Sequence, residues 1–120
     1  MSDISEDRSL TAEEANLVRW LLLHGTDEAD RFLGEVGNIR VVARCGCGCA
    51  SIDFTAEHES GMDILSDYQW RDDAGCLYGV FLFARAGRLA GLEVWSIDGA
   101  ATPSELPDPS RLEPLDQNAV

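Results

Sequence analysis

The pattern of apolar and polar positions first becomes regular at residues 12–24, where apolar side chains recur at helical spacing. Thr11 and Glu14 have the spacing of a capping box, in which a hydroxyl and a carboxylate satisfy each other's backbone amides. Gly25 follows at the position where many helices end on a glycine in the left-handed conformation. The pattern therefore predicts a helix over residues 12–24.

The next stretch keeps the helical period, with apolar residues at positions 29, 32, 33 and 36. Thr26 is placed to cap its start, and Gly37 marks its end. Residues 1–9 are polar and are expected to form a loose leader. The folded part of the chain is thus predicted to open with two short amphipathic helices.

After Gly37 the period changes from helical to extended. Residues 39–45 and 50–56 are typical of strands, and the second alternates between apolar and polar positions. They flank the segment CGCGC at residues 45–49, which predicts a hairpin with the cysteines near its turn. A weaker strand, with Tyr68 and Trp70 on one face, is expected over residues 64–71.

The most hydrophobic segment, LYGVFLFA at residues 77–84, is typical of a central strand buried on both faces. Residues 86–88 form a turn, and residues 89–97 return as the hairpin partner. All four prolines lie beyond residue 102. Because proline cannot donate to a sheet ladder, residues 100–120 are expected to lie extended across the domain or to hang free.

Helices followed by a run of strands predict an α+β domain. The specific expectation is two N-terminal helices packed on one face of a four- or five-stranded antiparallel meander sheet. The domain should occupy residues 10–99, between the polar leader at residues 1–9 and the proline-containing extended tail at residues 100–120.

A helix layer on one face would leave the other face of the sheet partly open. That face would carry charges of both signs if Arg40, Val42 and Arg44 lay there beside Asp53 and Glu93. An exposed Trp70 or Trp95 on the same face would favour a protein interface, because tryptophan is enriched where proteins meet.

The composition is that of a globular domain, with 120 residues, 45% hydrophobic and 26% charged. The N-terminus is acidic and polar, unlike a signal peptide, and the apolar runs are too short to span a membrane. A cytoplasmic location is therefore expected, with the thiols kept reduced.

The formal net charge is −13, from 22 acidic residues against nine bases, all of them arginine. Such a chain repels phosphate backbones and anionic lipids, which argues against nucleic-acid and membrane-surface binding. The charge either maintains solubility or forms a surface complementary to a basic protein.

Four cysteines are candidate ligands for zinc or copper: Cys45, Cys47, Cys49 and Cys76. Residues two apart on a strand lie about 6.5–7 Å from each other, too far to share one tetrahedral ion unless the intervening glycines curl the segment. A redox pair would need two residues between its cysteines. We therefore expect the cysteines to serve packing and turning and expect no cofactor, with zinc as the alternative.

No catalytic residue is predicted. His24 lies at a helix end and His58 in a polar turn, and neither has a local partner that would mark a nucleophile. The chain lacks a phosphate-binding glycine loop and a dinucleotide fingerprint.

One stretch carries a resemblance to known proteins. GRLAGLEVWSIDG at residues 87–99, followed by ELP at residues 105–107, resembles the closing hairpin of small uncharacterised bacterial α+β proteins that end in LEVW or LEVY, then DG, then LP. Some similar small acidic domains are immunity proteins, which bind and block a toxin made by the same or a neighbouring cell. The resemblance implies a bacterial binding protein and carries over no functional residue.

The leading interpretation is a non-enzymatic cytoplasmic protein-interaction module, with an immunity or inhibitor protein as one form of it and a basic protein as its partner. The alternatives are a metal-binding protein that uses the CGCGC segment and an enzyme with a cysteine nucleophile. The oligomeric state stays open.

Overall fold

The first predicted helix is present as α1, Ala12–Leu23, in the computed structural model, which describes residues 4–46, 49–55 and 61–114. The capping box is confirmed, because Thr11 Oγ1 accepts from the Glu14 amide at 3.1 Å and Glu14 Oε1 accepts from the Thr11 amide at 2.8 Å. The Glu14 carboxylate also pairs with Arg8 at 2.7 Å. This ion pair ties the start of α1 to the residues that precede it.

Gly25 follows α1 as expected but does not adopt the left-handed conformation, so that detail of the prediction is wrong. A Cβ atom at this position would overlap the carbonyl oxygen of Leu65. The same carbonyl accepts a hydrogen bond from the Thr26 amide at 2.8 Å. Glycine is therefore required here because the end of α1 passes directly against the backbone of the sheet.

The second predicted helix is a 3₁₀ helix, Ala29–Asn38, that buries Ala29, Phe32 and Val36. Thr26 does not cap it, since the residue before its start is Glu28 and no side chain caps the helix. Glycines at positions 34 and 37 weaken the preference for the α form. The apolar period is compatible with either helix type. It therefore indicated which side chains are buried but not whether the helix is α or 3₁₀.

The sheet of the described residues has seven strands: β1 Ile4–Ser9, β2 Arg40–Arg44, β3 Ile52–Asp53, β4 Asp63–Arg71, β5 Leu77–Arg85, β6 Arg88–Ser96 and β7 Glu113–Pro114. Their spatial order is β1-β2-β3-β6-β5-β4-β7, and all neighbours are antiparallel. The α+β class and the antiparallel sheet are confirmed. The count of four or five strands and the simple meander are wrong.

Two short edge strands account for the larger count. Strand β1 lies in the segment expected to be a loose leader and pairs with β2, with Ser9 opposite Arg40. Strand β7 lies in the proline-containing tail and pairs with β4 at Tyr68 and Gln69. The meander fails because β3 pairs with β6, so the connection from β3 to β4 skips two strands.

The hairpin around CGCGC is confirmed, with Ala43 opposite Asp53 in β2 and β3. Strand β3 is much shorter than the predicted residues 50–56. Just before it, Ser51 Oγ accepts from the Val94 amide at 2.9 Å and donates to the Val94 carbonyl at 3.1 Å. The serine hydroxyl thus takes the place of a backbone ladder partner, and the strand begins only at Ile52.

The buried cluster joins α1, the 3₁₀ helix and alternate positions of the central strands; it includes Leu17, Val18 and Leu21 together with Val80, Leu82, Leu92 and Val94. Tyr68 and Trp70 both contact this cluster, as expected for residues that share a face of β4. Across the described ranges, no helix is long and apolar enough to cross a membrane.

Candidate interaction surface

The strand residues that alternate with the core positions form a second face of the sheet, here named the outer face and defined by Asp53, Asp67, Phe81, Phe83, Glu93 and Trp95. Register places Asp67, Phe81 and Glu93 directly opposite one another across β4, β5 and β6. An aromatic side chain therefore lies between two carboxylates in one row of the sheet.

The aromatic rings of the outer face lie over glycine backbone. A Cβ atom at Gly91 would come within 2.6 Å of Phe83 Cζ, and one at Gly79 within 2.5 Å of Trp95 Nε1. Glycine in a strand interior often marks such a close approach. The two glycines therefore allow Phe83 and Trp95 to lie flat against the sheet.

Three large apolar side chains are exposed on the outer face or beside it: Trp95 is 41% exposed, Ile64, which lies opposite Phe83, 42%, and Met62, which precedes β4, 44%. A concave site of about 260 Å³ lies among Asp53, Met62, Phe81, Phe83, Arg85 and Glu93. The Arg85 guanidinium lies 5.4 Å from the centre of the Phe83 ring, and the rings of Phe81 and Phe83 are 5.8 Å apart. Aromatic and charged side chains therefore line the same concave site.

Asp67 is the least well satisfied charged group of this face. Its Oδ1 atom is buried and has no hydrogen-bond partner among the described residues. Burial raises the pKa of the Asp67 carboxyl above its usual value, because the charged form loses hydration. Ionisation of Asp67 therefore lowers the stability of the fold, and no hydrogen bond to Oδ1 from the described residues offsets that cost.

Asp67→Asn is expected to raise the free energy of unfolding near neutral pH by up to about 1 kcal/mol, a small effect because the side chain stays partly hydrated. With its folded pKa raised, the protonated carboxyl stabilises the fold in acid, and that contribution is lost as the pH rises through the folded pKa. The gain should therefore disappear in acid. Urea denaturation at both pH values measures it, and a less stable variant near neutral pH would contradict the account.

The predicted mixed charge of this face is correct in kind, but neither predicted arginine, Arg40 or Arg44, contributes to it. Asp53 and Glu93 are present, and Arg85 supplies the positive charge. Arg40 pairs instead with Asp7 at 2.7 Å, and Arg44 lines a separate pocket near the start of α1. Of the two candidate tryptophans, Trp95 is exposed and Trp70 is buried.

The cysteines occupy different surroundings. Cys45 lines the concave site of the outer face, whereas Cys49 packs against the core with its Sγ 3.4 Å from Ser51 Oγ. Cys76 immediately precedes β5, and strand β6 lies between β3 and β5, which places those two strands about 10 Å apart. Cys47 lies outside the described residues.

Within the described ranges, no three His, Cys, Asp or Glu side chains are grouped so that they could hold a metal ion. We therefore expect elemental analysis of the purified protein to find no stoichiometric zinc or copper. Cys45→Ser/Cys49→Ser is the matched variant. One equivalent of metal in the native chain that is lost in this double variant would instead establish the metal-binding alternative.

His24 has a structural environment. Its Nδ1 lies 2.8 Å from the Trp20 carbonyl oxygen, and its ring stacks on Trp20 with centroids 4.0 Å apart. The Tyr68 hydroxyl donates to the His24 carbonyl at 2.7 Å. These contacts join the end of α1 to β4, while His58 lies outside the described residues.

A second pocket, of about 530 Å³, lies between Trp70, Tyr78 and the tail near Leu106. Burial and the hydrogen bond that the Tyr78 hydroxyl donates to Asp72 at 3.0 Å raise the pKa of Tyr78 to about 12. The other carboxylate oxygen of Asp72 accepts from the amides of Ala74 and Cys76, both at 2.9 Å. Both carboxylate oxygens of Asp72 are thus occupied by hydrogen bonds to nearby residues. This makes the pocket a weaker candidate for a binding site than the outer face.

The fold and the outer face together define an α+β protein with a single antiparallel sheet and a partly exposed aromatic surface. No protein-family model, no curated protein and no solved structure matches the chain. Its function therefore has to be argued from the surface itself.

Proposed function

We propose that the chain is a non-enzymatic protein-interaction module that binds a basic protein through the outer face of its sheet. The observation that carries this proposal is the exposed Trp95, seated on Gly79 beside Phe81 and Glu93. Tryptophan in a preformed position is a frequent centre of binding energy, because its large surface is buried at little entropic cost.

Exposed apolar side chains also lie farther along the sheet, where Ile64 is opposite Phe83. Met62 and Ile64 are both more than 40% exposed, and the half-buried Phe81 lies among the carboxylates. Apolar patches rimmed by polar groups commonly mark sites of protein association. The surface mixes exposed apolar side chains with charged ones, as protein interfaces commonly do.

The charge favours a basic partner over a second copy of the chain. Two chains that each carry a formal charge of −13 repel one another, whereas a basic protein is attracted. The middle row of the outer face has the same sign, because Asp67 and Glu93 lie directly opposite Phe81 on β4 and β6. Electrostatic attraction of this kind speeds association and selects the partner.

An immunity protein or another inhibitor is the specific form of module that we propose, acting in the cytoplasm. It is supported by the acidic character of the chain and by the resemblance of residues 87–99 to the closing hairpin of small bacterial proteins. A neighbouring gene for a basic toxin, and the survival of cells that produce both proteins, would support this form. A neighbourhood of metabolic genes without a toxin would count against it.

The proposal is tested by affinity capture with the tagged full chain, followed by calorimetric titration with the recovered protein produced separately. We expect that protein to carry net positive charge and to bind more weakly as salt is added, because salt screens the attraction. A partner that is acidic, or whose affinity does not change with salt, would overturn the proposal. So would failure to recover any partner from the organism that encodes the chain.

A further inference from the structure

We infer that Arg8, Thr11 and Glu14 form a clasp that fastens the edge strand β1 to the first turn of α1, so that the two segments open together while the central strands stay folded. None of these three residues belongs to the outer face. The inference therefore goes beyond the proposed function and does not depend on it.

The Glu14 carboxylate is bonded to both segments. Arg8 of β1 donates to it twice, from Nη1 to Oε1 at 2.7 Å and from Nη2 to Oε2 at 3.0 Å. The Thr11 amide donates to the same Oε1 at 2.8 Å, and the Glu14 amide donates back to Thr11 Oγ1 at 3.1 Å. Because one carboxylate serves both segments, movement of either segment disturbs the bonds of the other.

The clasp is ionised and sheltered from water. Glu14 is 8% exposed. Burial alone would raise the pKa of its carboxyl, but the bonds from Arg8 and Thr11 outweigh that effect and hold the pKa below its usual value. Hydrogen bonds to a charged group are about twice as strong as neutral ones. The clasp is therefore strong enough to matter where other contacts are weak.

The other described side chains of this segment hold it weakly. Strand β1 is an edge strand whose register shifts between Ser5 and Arg8. Its second ion pair, Asp7 with Arg40, joins side chains that are 85% and 51% exposed, and exposed pairs contribute little. Leu10, directly after the strand, is only half-buried against the core. Segments with so little apolar burial open at a lower free energy than the core does.

Opening of the clasp would uncover the edge of β2. Strand β1 is paired with Arg40 and Val41, whereas β3 pairs with β2 in the described sheet only at Ala43 and Arg44. Unpaired strand edges can pair with strands of other chains, and proteins usually keep them covered. The clasp therefore controls whether this edge of the sheet is covered.

The test is native-state hydrogen exchange of the full ¹⁵N-labelled chain in low concentrations of urea, read by NMR. The bonded amides of β1 and the Ala15 amide, which donates to the Thr11 carbonyl at 2.9 Å, should share one opening free energy and one dependence on urea. Both quantities should be smaller than those of Val80 and Leu92 in the central strands. Different values for β1 and Ala15, or values as large as those of the central strands, would overturn the inference.

The decisive variant is Glu14→Gln, which preserves the shape of the side chain and removes its charge. It should speed exchange of the β1 amides and of the Ala15 amide by the same factor, roughly tenfold or more, because bonds to a charged group are weakened on both sides. The matched control is Glu13→Gln, which removes the same charge from an exposed position in the same turn of α1 and should leave these rates nearly unchanged. Equal rates in the two variants, or faster exchange of Ala15 without faster exchange of β1, would contradict the clasp.

Discussion

Gly25→Ala is expected to lower the free energy of unfolding by about 3 kcal/mol, at the upper end of the usual cost of overpacking. The added methyl group would overlap the Leu65 carbonyl oxygen and would lie 3.0 Å from both Ala29 Cβ and the Leu21 carbonyl oxygen. Backbone atoms cannot move aside as a flexible side chain can. The hydrogen bond from the Thr26 amide to Leu65 would be lost as the two segments separate.

Gly37→Ala is the matched control for this change. A Cβ atom there would meet no atom within 4 Å, and the backbone of Gly37 is not left-handed. Replacing such a glycine usually has little effect or stabilises slightly, because it restricts the unfolded chain. Urea denaturation of both variants measures the difference. If the two glycines proved equally replaceable, the close passage of α1 against β4 would be refuted.

Trp95→Ala is expected to weaken binding of the basic partner by about 2–4 kcal/mol, which is the range of a hot-spot residue. The indole is held over Gly79 before any partner binds, so little side-chain entropy is lost on association. Because Trp95 is 41% exposed, its removal should cost the free chain little stability. Calorimetric titration with the purified partner gives the loss of affinity, and urea denaturation checks the fold.

Leu23→Ala is the control for Trp95→Ala. Leu23 is 62% exposed at the end of α1 and does not belong to the outer face. Its replacement removes exposed apolar surface elsewhere and should leave partner affinity unchanged. An equal loss of affinity in the two variants would show that general hydrophobicity, rather than the outer face, governs binding.

The parts of the fold that follow from local signals could be predicted from the sequence. The capping box fixed the start of α1, because Thr11 and Glu14 interact within a single turn. The turn between β5 and β6 was equally local, with Ala86 and Gly87 both at positive φ. The buried segment at residues 77–84 became β5, a strand paired on both sides.

The parts of the fold that the sequence did not predict depend on contacts between distant segments. Strands β1 and β7 lack a predictive apolar alternation and form only because an edge of β2 and an edge of β4 are available to them. The pairing of β3 with β6 joins residues about forty positions apart, and no local pattern specifies it. The late start of β3 likewise depends on Ser51 reaching Val94.

The candidate surface was partly accessible from the sequence. Strand alternation made Asp53 and Glu93 candidates for one face together with Arg40 and Arg44, and it left Trp70 and Trp95 as equal candidates for an exposed tryptophan. The row that joins Asp67 to Phe81 was not predicted, since it depends on the register of β4 against β5. The available signal was the presence of Gly79 and Gly91 within hydrophobic strands, because a strand glycine often allows a large side chain to lie over the backbone.

Cys45 and Cys49 flank the connection from β2 to β3, as the strand patterns on either side predicted, and Cys45 borders the outer face. The hairpin of β2 and β3 therefore explains why Cys45 lies close to the proposed binding surface. The metal alternative depends on elemental analysis rather than on sequence spacing alone.

The central claim is that the outer face is the surface that binds. It is tested most directly by adding the purified basic partner to the ¹⁵N-labelled chain and recording which signals shift or broaden. We expect the largest changes at the Trp95 indole N–H and at Phe81 and Glu93, with Leu23 at the end of α1 unaffected. Changes centred on α1, or on the pocket between Tyr78 and Leu106, with the Trp95 indole unmoved, would contradict the claim.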